Sequence, residues 1–111
     1  MVKTAILFHR APGLTHEECV RHWNDVHGPL ARASQIGQRY LRKYVNCEIL
    51  ACLPPGAPEY DGIAELWFDS PADSEAFFSD PEYAAVVGAD AAQFADMTDL
   101  QVFVTEETTI I

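Results

Sequence analysis

The stretch Trp23-Asn24-Asp25-Val26-His27-Gly28-Pro29-Leu30 decides how this chain is read. An amphipathic helix runs into it, and Gly28-Pro29 interrupts that helix directly after a histidine. At about 100° per residue, Cys19, Val20, Trp23, Val26, His27 and Leu30 fall within an arc of about 120°. Arg21, Asn24 and Asp25 lie outside the arc, and His22 falls near its edge. Pro29 has no N–H for the carbonyl of Asp25, and its ring crowds that carbonyl. The helix is therefore predicted to kink or stop near His27-Gly28. Pro29 can then start a second short turn through about Ser34.

Upstream, Thr15-His16-Glu17-Glu18 is a capping box. The Thr15 hydroxyl can accept from the Glu18 amide, and the Glu18 carboxylate can reach back to the Thr15 amide. Leu14 and Cys19 stand at the positions of a hydrophobic staple, and Glu17 and Glu18 suit the positive end of the helix dipole. Before the helix, Val2 to His9 is dense in apolar and β-branched residues and reads as a largely buried strand, closed by the Pro12-Gly13 turn.

Downstream, Gln38 to Leu50 reads as a second strand. Pro54-Pro55-Gly56-Ala57-Pro58 is a loop too short to link domains. Ile63 to Phe68 is a third strand, with Ile63, Glu65 and Trp67 on one face and Ala64, Leu66 and Phe68 on the other. Ser70-Pro71 opens a short helix to about Ser79, and Asp80-Pro81 opens another to about Asp96. Tyr83, Val86, Val87 and Phe94 approximate the buried stripe of that helix. Asp99 to Thr105 is the last strand, and Glu106 to Ile111 carries no clear pattern. The order β-α-β-β-α-β is that of a ferredoxin-like α+β domain, spanning residues 1–111 as one unit.

Composition excludes several partners. A net charge of −10 opposes binding to nucleic acid and to anionic membranes, both of which call for basic surfaces. No apolar run approaches the ~20 residues of a membrane span. Met1-Val2-Lys3 leads straight into a strand-like segment with no signal-peptide pattern, so a cytoplasmic location is the default. Three cysteines, Cys19, Cys47 and Cys52, exclude a full disulfide framework, and they are expected to act as small buried hydrophobes.

Three groups of residues resemble the EthD-type family of dimeric α+β barrel proteins. They are Trp23 to Leu30, similar to a W-x-x-x-H-x-P-L element; Asp61 to Ser70, similar to the family's third-strand motif; and Ser79-Asp80-Pro81-Glu82-Tyr83, followed by the Asp96 region. The resemblance implies a four-stranded antiparallel sheet, a homodimer packed sheet to sheet, and a small apolar cavity between sheet and helices. It also implies a protein that works without metal or organic cofactor. Large apolar residues on both strand faces, Ile63 and Trp67 against Leu66 and Phe68, independently permit the dimer.

His27 is the first candidate for chemistry, since an imidazole exchanges protons near neutrality. The bland alternative is that it braces the kink. Glu65 is the second: a carboxylate flanked by Ile63 and Trp67 is costly unless paired, and a His27–Glu65 dyad would supply the pairing. Otherwise Glu65 would meet an arginine such as Arg39 or Arg42 across the sheet, or lie at the solvent edge. Trp23, Trp67, Tyr44, Tyr40 and His9 are candidate substrate contacts, with core filling or an edge position as the alternative for each. Tyr60 and Tyr83 offer further phenols. His16 and His22 are expected at the surface, and Asp61 as a turn or strand-start cap. His22 and His27, five apart, diverge by about 140° on an α-helix, which speaks against a shared metal.

The expected function is cofactor-free acid/base chemistry on a small apolar carbonyl, phenolic or polyketide-like compound: cyclisation, dehydration, decarboxylation or isomerisation. The rivals are a non-catalytic binding or accessory protein for a degradative oxygenase system, and a cofactor-independent monooxygenase.

Overall fold

The Thr15 hydroxyl accepts from the Glu18 amide at 3.1 Å, and the Glu18 carboxylate accepts from the Thr15 amide at 2.9 Å. The predicted capping box thus opens helix α1, His16–His22, in a computed structural model that describes residues 1–111. The helix does not stop at His27. It widens into a π turn over Trp23–His27 and continues as α2, Gly28–Ala33. The Gly28 N–H reaches the carbonyl of Trp23, five residues back. Pro29 withholds one N–H, and the ladder shifts to i→i+5 bonding just ahead of it instead of ending.

A second departure follows. Residues Gln35–Tyr40 form helix α3, where the sequence predicts the start of a strand. Ser34 is extended, and its hydroxyl accepts from the Gly37 amide at 2.9 Å, an N-cap that overrides the β-forming residues behind it. The Glu82 carboxylate accepts from the amides of Gln35 and Ile36. A Cβ at Gly37 would lie 2.1 Å from the Ala31 carbonyl oxygen, so only glycine lets α2 and α3 meet this closely.

Strand β1 is Val2–Phe8, β2 is Lys43–Glu48, β3 is Gly62–Phe68 and β4 is Gln101–Glu106. They form one antiparallel sheet in the order β2-β3-β1-β4, as the ferredoxin-like reading requires. The register sets Glu65 beside Ala5 and Val45, and Phe103 on the far side of Ala5. Lys3, Glu65, Trp67, Cys47 and Phe103 therefore share the outer face. Val2, Thr4, Phe8, Ala64, Leu66 and Phe68 share the inner face and are buried beneath the helices. Thr4 is fully buried there and is satisfied by the Ser74 hydroxyl at 2.8 Å.

Ser70 caps α4, Pro71–Ser79, by accepting from the Asp73 amide. Asp80 accepts from the Glu82 amide, and a second π turn follows at Tyr83–Gly88, then α5, Ala89–Ala91. Of the predicted stripe, Val87 and Phe94 are buried, Tyr83 is half-buried and Val86 is exposed. The regular helix ends at Ala91, short of Asp96, because the chain turns to pair Arg10 with Ala95. Cys19 is fully buried, and its thiol is pushed up to about 11 by desolvation. Cys47 and Cys52 are only half-buried, less enclosed than the sequence suggests. No helix is long and apolar enough to cross a membrane.

Candidate functional site

The two π turns face one another across the inner side of the sheet. A helix that closes one turn on i→i+5 bonds carries an extra residue, which brings positions five apart toward one face. His22 is thereby swung toward the side of His27, while Trp23 and His27, four apart, both turn inward. Between these turns and the sheet lies a cavity of about 120 Å³. Eighteen residues line it, and 17 are hydrophobic, leaving His27 as the exception. Its lining includes Met97 and Val102, which are 45% and 54% exposed, so the cavity opens toward the β4 edge.

His27 Nδ1 lies 3.0 Å from Asp90 Oδ2. His22 Nε2 lies 3.0 Å from Asp90 Oδ1, so one carboxylate joins two imidazoles. Exposure grades along this row: the His27 side chain is 10% accessible, Asp90 13% and His22 28%. Burial lowers the His27 pKa from its ordinary value, and the hydrogen bond and charge of Asp90 offset this only in part. His27 is therefore neutral at neutral pH. An ionised carboxylate only accepts, so the ring proton sits on Nδ1 and donates to Asp90. With Nδ1 committed, Nε2 is the nitrogen left to meet a guest, as a lone-pair acceptor. The Phe94 ring stands at 65° to the imidazole, 4.8 Å away between centroids, and holds it from the side.

The structure does not bring Glu65 to His27. Glu65 points to the outer face, where Lys3 Nζ donates to it at 2.7 Å and the Cys47 thiol donates at 3.2 Å. The Lys3 hydrogen bond holds its pKa below the usual carboxylate value. Lysine takes the place expected of Arg39 or Arg42, and Arg42 pairs with Asp69 instead. Trp67 also lies on the outer face, between the ammonium groups of Lys3 and Lys43, and its indole N–H donates to Glu107. Strand alternation separates Glu65 and Trp67 from Ala64 and Leu66, and only the sheet's packing shows which face meets the helices.

Trp23 and Tyr44 line the cavity. Burial pushes the Tyr44 phenol up to about 12 and raises that of Tyr83, a second cavity-lining phenol, so both keep their protons at neutral pH. Tyr40 packs at the margin of the core beneath the Arg39 guanidinium and does not line the cavity. His9 stacks on Tyr60 at 4.3 Å, and its Nε2 lies 2.9 Å from Asp99 Oδ2, also outside the lining.

Asp90 is the residue that sequence reading misses. One signal was present: it is the only charged residue between Glu82 and Asp96. His22, expected at the surface, is half-buried on the same carboxylate. His16 is likewise engaged, with Nδ1 2.7 Å from Asp61 and Nε2 2.9 Å from Glu48. Asp61 is buried and also accepts from the Arg10 amide at 2.6 Å, so it acts as a cap in the expected sense while holding two other groups.

The sequence model of the EthD domain matches residues 11–98, four-fifths of the chain. The chain belongs to the EthD family. Among solved structures it is similar to an EthD family protein from Bacillus halodurans C-125, with 24% identity, a TM-score of 0.74 and coverage of 97% of this chain and 99% of that one. An EthD-like protein from Ralstonia eutropha JMP134 shares 19% identity at a TM-score of 0.73, with 99% and 94% covered. A dimeric ferredoxin-like protein of unknown function from Thermobifida fusca YX shares 18% identity at 0.66, with 94% and 88% covered. No curated protein matches the chain. At these identities the solved structures establish the fold. Within that EthD fold, the matched region contains Trp23, His27 and Asp90 but only part of the sheet.

Proposed function

We propose that this EthD-family protein is a cofactor-free acid/base catalyst acting in the cytoplasm on a small, mostly apolar carbonyl or phenolic compound. The reaction class is proton transfer, as in isomerisation, dehydration, cyclisation or decarboxylation. One observation carries the reading: the sole non-hydrophobic residue lining the cavity is an imidazole whose Nδ1 is hydrogen-bonded to the half-buried carboxylate of Asp90. A histidine bracing only the helix would be tied to a backbone carbonyl. Here Asp90 takes the orienting role that the sequence suggested for Glu65. His27 Nε2 accepts a proton from the substrate, the imidazolium formed is stabilised by Asp90, and the same nitrogen returns the proton elsewhere on the substrate. The apolar walls exclude water from the exchange.

The reading is tested without knowing the natural substrate. Cyclohexanone in D₂O reports general-base catalysis as α-proton exchange by NMR. The wild-type protein is expected to exceed His27→Ala by about 10²-fold or more; equal rates would remove the catalytic role. Because the active form of His27 is neutral and its pKa is depressed, exchange should persist below the usual histidine range near ~6.5.

The homodimer is part of the same proposal. Solved neighbours are described as dimeric, and the outer sheet face carries Trp67 and a half-exposed Phe103. Phe103→Glu should convert a dimer to a monomer in sedimentation analysis, and an unchanged mass would place the contact elsewhere.

A further inference from the structure

Three properties of the cavity restrict its guest beyond "small and apolar": volume, charge and the number of polar partners. We infer that it takes an uncharged monocyclic phenol, with the phenolic O–H donating to His27 Nε2. The inference rests on the proposed reading that this cavity is the substrate site, and it narrows that reading to one ligand class.

Volume comes first. An apolar protein cavity of about 150 Å³ holds a benzene ring. A cavity of about 120 Å³ that opens at Met97 and Val102 is on the scale of one six-membered ring rather than of two fused rings. The walls do not readily yield, because Phe77, Trp23 and Phe94 are almost completely buried and packed on one another's neighbours. Among the polyketide-like compounds allowed by the sequence, those with fused rings are thereby disfavoured.

Charge comes second. None of the lining residues is Lys, Arg, Asp or Glu. Asp90 stands behind His27, with His27 on Oδ2 and His22 on both oxygens. A carboxylate, phosphate or ammonium group on the guest would be desolvated with no counter-charge.

The polar partner comes third. Beside the Tyr44 and Tyr83 phenols, His27 Nε2 is the one nitrogen acceptor of an otherwise apolar wall, and a pure hydrocarbon would leave it unpaired. A ring with one O–H satisfies it. Aromatic guests gain a further fit, because the walls already meet edge to face: Phe8 and Trp23 at 4.8 Å, Phe8 and Phe94 at 5.5 Å, His27 and Phe94 at 4.8 Å. A phenol enters that pattern with its ring as well as its hydroxyl, whereas cyclohexanol offers the hydroxyl alone.

The test is calorimetric titration of the full chain with phenol, benzene, cyclohexanol, benzoate and 1-naphthol. Phenol should bind, benzene and cyclohexanol about tenfold or more weakly, as loss of one buried hydrogen bond or of the ring stacking requires. Benzoate and 1-naphthol should show no saturable heat. His27→Phe keeps an aromatic ring in place while removing the acceptor, and should bring phenol down to the level of benzene. If that variant does not fold, ¹⁵N-histidine NMR of the wild type replaces it: phenol must shift the His27 Nε2 resonance and leave those of His9 and His16 in place. Binding of 1-naphthol or benzoate as tight as that of phenol, or phenol binding without a shift at Nε2, overturns the ligand class. Phenol binding with no His27-dependent exchange of cyclohexanone would sink the acid/base reading while sparing this one. Exchange without phenol binding would do the reverse.

Discussion

Two histidine–carboxylate clusters are built from the same groups and behave oppositely. In the first, His27 and His22 share Asp90 beside the cavity. In the second, His16 joins Asp61 to Glu48 at the start of β3. Burial dominates the first, and the pKa of His27 falls. The second imidazole keeps more water and has two carboxylates, whose hydrogen bonds raise its pKa. Burial raises the Asp61 pKa, but the hydrogen bonds from His16 and the Arg10 amide outweigh it and hold the carboxyl below its ordinary value. The first cluster therefore holds a neutral base with one nitrogen free. The second holds a cation with both nitrogens occupied, which suits a clamp between α1, β2 and β3. A histidine beside an acid is left as a base with a free nitrogen or fixed as a clamp according to how much water and how many acceptors surround it.

Asp90→Asn should sharpen the contrast most. The amide no longer favours the Nδ1–H tautomer or stabilises the imidazolium, and exchange of cyclohexanone protons should fall by about 10²-fold or more with the fold intact. A wild-type rate would reduce Asp90 to a spacer. Asp61→Ala should act on the other axis. It leaves the part-buried Arg10 amide without its acceptor and His16 with Glu48 alone, and should lower stability by about 1–3 kcal/mol in urea, with exchange per folded molecule unchanged. A loss of catalysis there would erase the distinction.

The smallest effect is the most diagnostic of sign. By NMR titration, the His27 midpoint should lie below about 6.5 and the His16 midpoint above it. Because the His16 pKa is raised on folding, its contribution to stability is complete below the unfolded value and is lost as pH rises through the folded one. His27 runs the other way: its contribution is present above the unfolded value and is lost as pH falls through the folded one. Midpoints in the reverse order would break the comparison.

Much of the fold was legible because its signals act over a few residues. The Thr15–Glu18 box, Ser70-Pro71 and Asp80-Pro81 start helices where expected. The alternation of Ile63 to Phe68 locates β3 to within one residue of its observed start. The misses have equally local shapes but distant causes. Helix α3 depends on Ser34 capping, on Glu82 reaching across from the second helical region, and on a glycine against Ala31. The π turn at Trp23–His27 brings His22 and His27 to one carboxylate, although α-helical geometry sets them about 140° apart.

Neighbours in sequence settle where the capped helices begin and place His27 with Trp23 on the inward stripe, because caps, prolines and periodicity need no partner from far along the chain. Packing alone assigns the partners. The acid for His27 lies 63 residues away on another helix, and the acid expected for it lies on the far face of the sheet with Lys3. Strand alternation states that Glu65 and Leu66 face opposite ways; which way meets the helices is decided when the sheet buries its more apolar side. The interruption at Gly28-Pro29 is legible as a disturbance of the helix, but its outcome is set by the core beneath it, which holds Trp23 and His27 inward and leaves one nitrogen of His27 for the cavity.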